Sequence, residues 1–182
     1  IHVIPGLIDA HRHFFVASLL PRAGDAGAWA SKDDALAAIE AACRAGGSGQ
    51  DWVFFAGLDS SHWKKPVLPS LKEIDAAALG LPVLVTDSTL HQGLVSSAAL
   101  KRTGLRREAL RCPADMDMNR DGTPKGTVWE DALGRVLFCL CREIFQALSA
   151  QEKRRIILDE AERCLQKGLT HVHDPGVPAD IQ

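Results

Sequence analysis

Two histidines stand two residues apart near the start of the chain, in Asp9-Ala10-His11-Arg12-His13. The apolar run before them, His2-Val3-Ile4-Pro5-Gly6-Leu7-Ile8, reads as a short strand that enters at a Pro-Gly bend and runs to about His13. Side chains alternate along a strand, so Asp9, His11 and His13 share one face at its C-terminal end. Two imidazoles so placed can hold one divalent metal ion; the plainer alternative is a pair of exposed or core histidines. Asp9 then either orients a histidine ring or hydrogen-bonds at the strand end. A second pair, His171-Val172-His173 followed by Asp174, closes another short run. As residues alone it is a rival metal pair or ordinary strand-end packing. His91 follows the polar stretch Thr86-Asp87-Ser88-Thr89. Glu130 opens a helix, where its charge suits the helix dipole or serves an active site.

Elements must hold these groups in place. Ser31 caps a helix over 31–45, with Asp34 in its first turn and Leu36, Ile39, Ala42 and Cys43 as its apolar stripe. A glycine-rich loop over 45–49 ends it, and 52–57 reads as a buried strand. Ser70 and Glu73 form a capping box for a helix over 71–79. A strand is predicted over 82–86, a helix over 97–103 closed by Gly104, a loop over 111–126, and a helix over 128–148. Ser149 and Glu152 cap a further helix whose stripe is Ile157, Leu158, Ala161, Cys164 and Leu165, ending at Gly168. A strand over 169–174 follows at once. Helix, glycine, then a strand ending in polar residues is the αβ step of a parallel α/β fold.

Composition narrows the function classes. The chain has 182 residues, 46% hydrophobic and 24% charged, which allows a sizeable core and excludes gross disorder. A net charge of −2 leaves no basic field, so nucleic acid is not the expected partner. No apolar run approaches the ~20 residues of a membrane span. The five cysteines are odd in number and form no C-x-x-C, which argues against a disulfide scaffold or zinc ribbon. Reduced thiols suit a cytoplasmic protein. Cys139 and Cys141 read as small buried apolar residues.

The run Pro5-Gly6-Leu7-Ile8-Asp9-Ala10-His11-Arg12-His13 resembles the first-strand signature P-G-x-x-D-x-H-x-H of the amidohydrolase superfamily. Further matches follow in order: Gly57-Leu58-Asp59 and Trp63; Pro69-Ser70-Leu71 with Ile74-Asp75; Pro82-Val83, His91, Ser97, Ala99 and Leu100; Asp121 to Gly126 with Glu130 and Ala132; and Gly168 to Asp174. Together they look like the N-substituted-formamide-deformylase-like branch. That branch usually has Trp where this chain has Leu58, and Asn where it has Ser96. The resemblance implies a (β/α)8 TIM barrel with a catalytic metal on His11 and His13. It also implies substrate or supporting roles for Asp9, His91, Glu130 and His173. His62 and Trp63 are assigned no role.

A barrel of ~250 residues spends about 30 on each βα unit. Roughly 155 residues separate His13 from Leu169, so at least ~120 of them form an insertion after the first strand. The expected fold is therefore α/β, a partial barrel: residues 1–14 the first strand, 15–148 an inserted cap-like α/β region, and 149–182 a helix and the next strand. The remaining barrel, its other metal ligands, a general-base Asp and a flanking β-sandwich are expected beyond this segment, as in an N-terminal portion of a longer enzyme, inactive alone.

As the resemblance implies it, a divalent metal, Zn²⁺ first among the candidates and present as one or two ions, activates a hydroxide. That hydroxide hydrolyses a non-peptide C–N bond of a small amide-type substrate. Other readings are an ester or phosphoester hydrolase on the same scaffold, or a catalytically inactive relative used for binding. The full-length protein has room for a homo-oligomer.

Overall fold

Serine caps set most of the helix starts. In the computed structural model, which describes residues 3–46 and 52–177, the chain runs β1 (Leu7–Asp9), α1 (Phe14–Leu19), β2 (Gly24–Asp25), α2 (Lys32–Arg44), β3 (Val53–Leu58), α3 (Leu71–Ala78), β4 (Val83–Asp87), β5 (Gln92–Val95), α4 (Ser97–Thr103), β6 (Met116–Met118), β7 (Pro124–Trp129), α5 (Glu130–Ala147), α6 (Ala150–Gln166) and β8 (Leu169–Val172). Ser31 caps α2 by accepting from the Asp34 N–H at 3.1 Å. Ser70 with Glu73, and Ser149 with Glu152, form reciprocal capping boxes on α3 and α6. Ser96 caps α4, and its buried hydroxyl also donates to the Leu81 carbonyl at 3.0 Å and accepts from the Val83 N–H at 2.9 Å. His2, the loop residues 47–49 and the end of the chain from 178 lie outside the described residues.

The chain divides into two compact units. One comprises the described parts of 1–21 and 141–182. Its sheet is the parallel pair β1–β8, with Leu7 opposite Leu169, Ile8 opposite His171 and Asp9 opposite Val172; α1 packs on α6. Gly6 lets the two strands close up, since a Cβ there would lie 2.2 Å from Thr170 Oγ1. Leu7 is 51% and Ile8 64% exposed. Neighbours on a strand face opposite ways, so both faces of β1 carry exposed apolar side chains.

The other unit, 22–140, is a six-stranded mixed sheet in the order β2-β3-β4-β5-β7-β6. Pairs β2–β3 and β3–β4 are parallel; the rest are antiparallel. Ile39 and Cys43 of α2 and Ile74, Ala77 and Ala78 of α3 join Val53, Phe55, Val83, Val85 and Leu94 in one buried cluster. Leu84 and Leu133 of α5 close over Gly93, where a Cβ would sit 2.7 Å from Leu133 Cδ1. Leu58 is buried in the same cluster as Val53 and Phe55.

Several expectations change. The first strand ends at Asp9, not near His13, because Asp9 Oδ1 accepts the His11 N–H at 3.1 Å and turns the chain. His13 is then the residue before α1. The region 111–126 is not all loop: β6 and the start of β7 lie in it, too irregular in apolar alternation to be read from pattern. Val128 and Trp129 belong to β7, so the helix starts at Glu130. The last strand stops at Val172 rather than Asp174. On α6, Leu158 and Leu165 are exposed while Glu160 is buried, because two arginines neutralise that carboxylate. Among the described residues no helix is long and apolar enough to cross a membrane.

Two stability effects arise here. Gly126 has φ +97°, and a Cβ would lie 3.0 Å from the Leu71 Cα. Gly126→Ala thus meets both backbone strain and overlap with the start of α3, and is expected to cost about 2 kcal/mol in urea unfolding. Glu73 pairs with Lys32 at 2.5 Å; that lysine, followed by the Ser70 N–H and hydroxyl, holds its carboxyl down at about 2 from the ordinary 4.5. A lowered carboxyl stabilises the fold above its ordinary value, and the contribution is lost as pH falls from 4.5 towards 2. Both partners are about one-third exposed, so solvent screening keeps the pair at roughly 0.5–1 kcal/mol. Glu73→Gln, which preserves the capping box, should lower stability by that amount at neutral pH and flatten the acid limb of a stability–pH curve.

Candidate functional site

The bend between β1 and α1 carries the histidine pair, and four contacts hold it. The His173 N–H donates to the Asp9 carbonyl at 2.9 Å, and the Arg12 N–H donates to the His173 carbonyl at 3.0 Å. β1 and β8 are thus zipped one step beyond their strand pairing. Asp9 closes the turn through the His11 N–H. The fourth contact is at the start of α1. His13 occupies the N-cap position, yet its side chain makes no cap hydrogen bond. Asp174 does that work instead: its Oδ2 accepts the Phe15 N–H at 2.8 Å, while Oδ1 accepts the Gly176 N–H at 3.0 Å. The helix start is satisfied from 159 residues away, and the His13 ring is left free.

The two rings meet edge to face, with centroids 5.2 Å apart and planes at 88°. His11 is exposed, whereas His13 Nδ1 is buried without a hydrogen-bond partner. A buried ring nitrogen left unpaired is costly, and a ligand that takes up a lone pair relieves that cost. Two imidazoles on one tetrahedral ion, at metal–nitrogen distances of about 2.0–2.1 Å, hold their ring centres roughly 5 Å apart. The 5.2 Å separation of the pair matches that value. Among the described residues no group of three or more His, Cys, Asp and Glu is arranged to hold an ion.

Arg12, between the two histidines, was passed over in the sequence. Its guanidinium bonds Glu160 of α6, which is 1% exposed. Arg163 Nε donates to the other carboxylate oxygen at 2.8 Å, and Cys164 Sγ lies 3.8 Å from the first. The hydrogen bond to Glu160 raises the Arg12 pKa above its ordinary value, against the pull of burial. A charged residue on the buried side of an amphipathic helix has no local sequence signal; only its partners explain it.

His91 and Glu130 belong to the other unit, and the fold brings them together. Gln92 of β5 pairs with Trp129 of β7, so the next residues, His91 and Glu130, also face each other. The Glu130 N–H donates to the His91 carbonyl at 3.2 Å. His91 Nδ1 lies 3.1 Å from both Glu130 carboxylate oxygens, which favours the tautomer with the proton on Nδ1 and an open Nε2. Asp87 Oδ1 accepts the His91 and Gln92 N–H groups at 3.0 and 3.1 Å. Both side chains are largely exposed. Leu90 and Glu130 adopt φ of +61° and +37°, a strained backbone of the kind that clusters at functional sites.

Other candidates make local contacts. His171 Nδ1 lies 3.0 Å from Thr170 Oγ1, and the His173 backbone holds the bend. His62 and Trp63 both reach the Trp29 carbonyl, at 3.0 and 2.8 Å. Burial pushes the Cys141 thiol up to about 12 and raises that of Cys43, so neither is a nucleophile near neutral pH.

Comparisons with known proteins address the family and the fold. The family model described as "Amidohydrolase family" matches residues 1–181. The N-substituted formamide deformylase of Arthrobacter pascens is 35% identical over 134 residues, which is 71% of this chain and 24% of that protein. Protein LONG AFTER FAR-RED 3 of Arabidopsis thaliana is 27% identical over 177 residues, 96% of this chain and 29% of that one. The chain thus spans about a quarter to three-tenths of these curated relatives. Two solved structures, metal-dependent hydrolases from Pyrococcus furiosus and Pyrococcus horikoshii OT3, superpose with TM-score 0.54 at 19% and 18% identity. Each covers 92% of this chain, which in turn covers 31% and 30% of them. At that identity the likeness speaks to the fold, which is mixed α/β. With the family model matched along almost its whole length, the chain belongs to the amidohydrolase family.

Proposed function

We propose that this chain supplies the first strand, the metal-binding bend that follows it, and the inserted region, of a metal-dependent hydrolase that cleaves a non-peptide C–N bond in a small amide-type substrate. The observation that carries this reading is the bend at His11 and His13: two imidazoles at the right separation, one with an unpartnered buried nitrogen, on a turn clamped from the neighbouring strand. Family membership supports the reaction class. The N-substituted formamide deformylase relative points to formamides as the first substrates to test.

The parallel pairing of β1 with β8, far apart in sequence, supports a partial barrel in which these are the first and next strands. Parallel sheets are normally covered on both faces, so the exposed apolar faces of β1 are where the rest of a barrel would pack. Residues 15–148 are then an insertion, and its own candidate functional residue is His91, held by Glu130.

Within the site, His11 and His13 would hold the cation, with zinc the leading candidate. A bound divalent cation supplies Lewis-acid polarisation of a carbonyl oxygen and lowers the pKa of water to about 7. The protein's own part is positioning. Asp9 shapes the turn, Asp174 fixes the start of α1, and the His173 backbone locks the bend to β8.

The test is amine release from N-substituted formamides and simple amides by the full-length, zinc-loaded protein. Metal-dependent turnover of at least one C–N substrate is expected. Turnover of carboxylic or phosphate esters only, with amides untouched, would overturn the assignment of bond type.

A further inference from the structure

Arg12 lies between the two candidate metal donors and makes a long-range side-chain ion pair from the bend. It reaches Glu160, a carboxylate that is almost wholly buried on α6. Its backbone N–H is spent on His173, and its Nε is buried without a partner. The residue is therefore pinned at both ends, by β8 through its main chain and by α6 through its side chain. A residue so fixed restricts the backbone torsions of its two neighbours, which are His11 and His13. Burying a carboxylate in a helix face is costly unless it is paired. Glu160 meets two arginines with different jobs: Arg163 sits three residues on, in the same helix, while Arg12 comes from the bend 148 residues away.

Resting on the metal reading above, we infer that Arg12 is a positioning residue: through Glu160 it sets the spacing of the His11 and His13 rings, and so the affinity of the site for a divalent cation. Removing it loosens the turn without removing a donor. Arg163 satisfies the same carboxylate from within α6 rather than from the bend, so it serves as the structural control.

The probe is zinc alone, titrated against a chromophoric chelator, in the full-length protein. Arg12→Met is expected to weaken zinc binding about 10–100-fold, the range of losses seen when groups supporting a metal ligand are removed. Arg163→Met breaks an ion pair to the same buried carboxylate, and should lower the urea midpoint while leaving zinc affinity unchanged. Arg12→Lys keeps the charge but not the planar fork; it should fall between wild type and Arg12→Met, and stands in should the latter fail to fold. A second readout needs no metal: the His11 and His13 ring resonances should shift or broaden in the Arg12 variants and hold still in Arg163→Met. Equal zinc affinity in wild type and both Arg12 variants would overturn the inference. So would an equal loss in Arg163→Met, which would make the pair a matter of general stability. If zinc affinity in the full-length protein is indifferent to His13→Ala, the metal reading fails first, and that result is distinct from either of these.

Discussion

His13→Ala in the full-length protein is expected to reduce hydrolysis by roughly 10³-fold or more, since a metal's contribution to transition-state stabilisation is several kcal/mol and each 1.36 kcal/mol is about tenfold. The loss should appear in kcat/KM for every substrate, because it removes the chemistry rather than a substrate contact. Folding should survive. The His13 side chain makes no cap hydrogen bond, its Nδ1 has no partner to lose, and the α1 N-terminus is satisfied by Asp174. A circular dichroism spectrum and urea midpoint close to wild type, together with abolished turnover, is the expected combination. Unchanged turnover in a folded His13→Ala protein would remove His13 from the metal assignment.

Asp174→Ala should show the opposite balance. It deletes the acceptor of the Phe15 and Gly176 N–H groups, and Phe15 is buried. Hydrogen bonds to charged acceptors and unpaired buried donors are each costly, so the loss in stability is expected at about 2–3 kcal/mol. The α1 start also anchors the His13 position, so zinc affinity should drop about tenfold or more alongside it. Asp174→Asn keeps an acceptor and should recover most of the stability. Chemical unfolding and zinc titration on the same samples separate the two effects. A fully stable Asp174→Ala protein would show that the long-range cap does not hold the bend.

The parts of this site that could be read from the sequence are contiguous ones. His11 and His13 stand out because two donors two residues apart, behind Pro5-Gly6 and Asp9, form a local pattern. The helices over 32–44, 71–78 and 150–166 were legible because Ser31, Ser70 and Ser149 carry their caps within three residues. What failed to show was long-range. Strand alternation suggested that β1 would carry the histidines on a single face, but the carboxylate of Asp9 ends the strand first. The antiparallel pairing of β5 with β7 was hidden by a polar stretch before His91 and a glycine- and proline-bearing stretch after Asp121. For the same reason the meeting of His91 with Glu130 followed only from the strand register. Glu160 lies outside the apolar stripe read for α6, and its burial rests on a counter-charge that Arg12 supplies from 148 residues away.

The most direct measurement is the metal content of the full-length protein, by mass spectrometry of purified samples, for wild type and for the His11→Ala/His13→Ala double variant. Wild type should carry a stoichiometric divalent cation that dialysis against a weak chelator does not remove, and the double variant should lose it while keeping its helical circular dichroism. Equal metal content and equal chelator resistance in the two proteins would contradict the assignment of His11 and His13 as the cation's ligands.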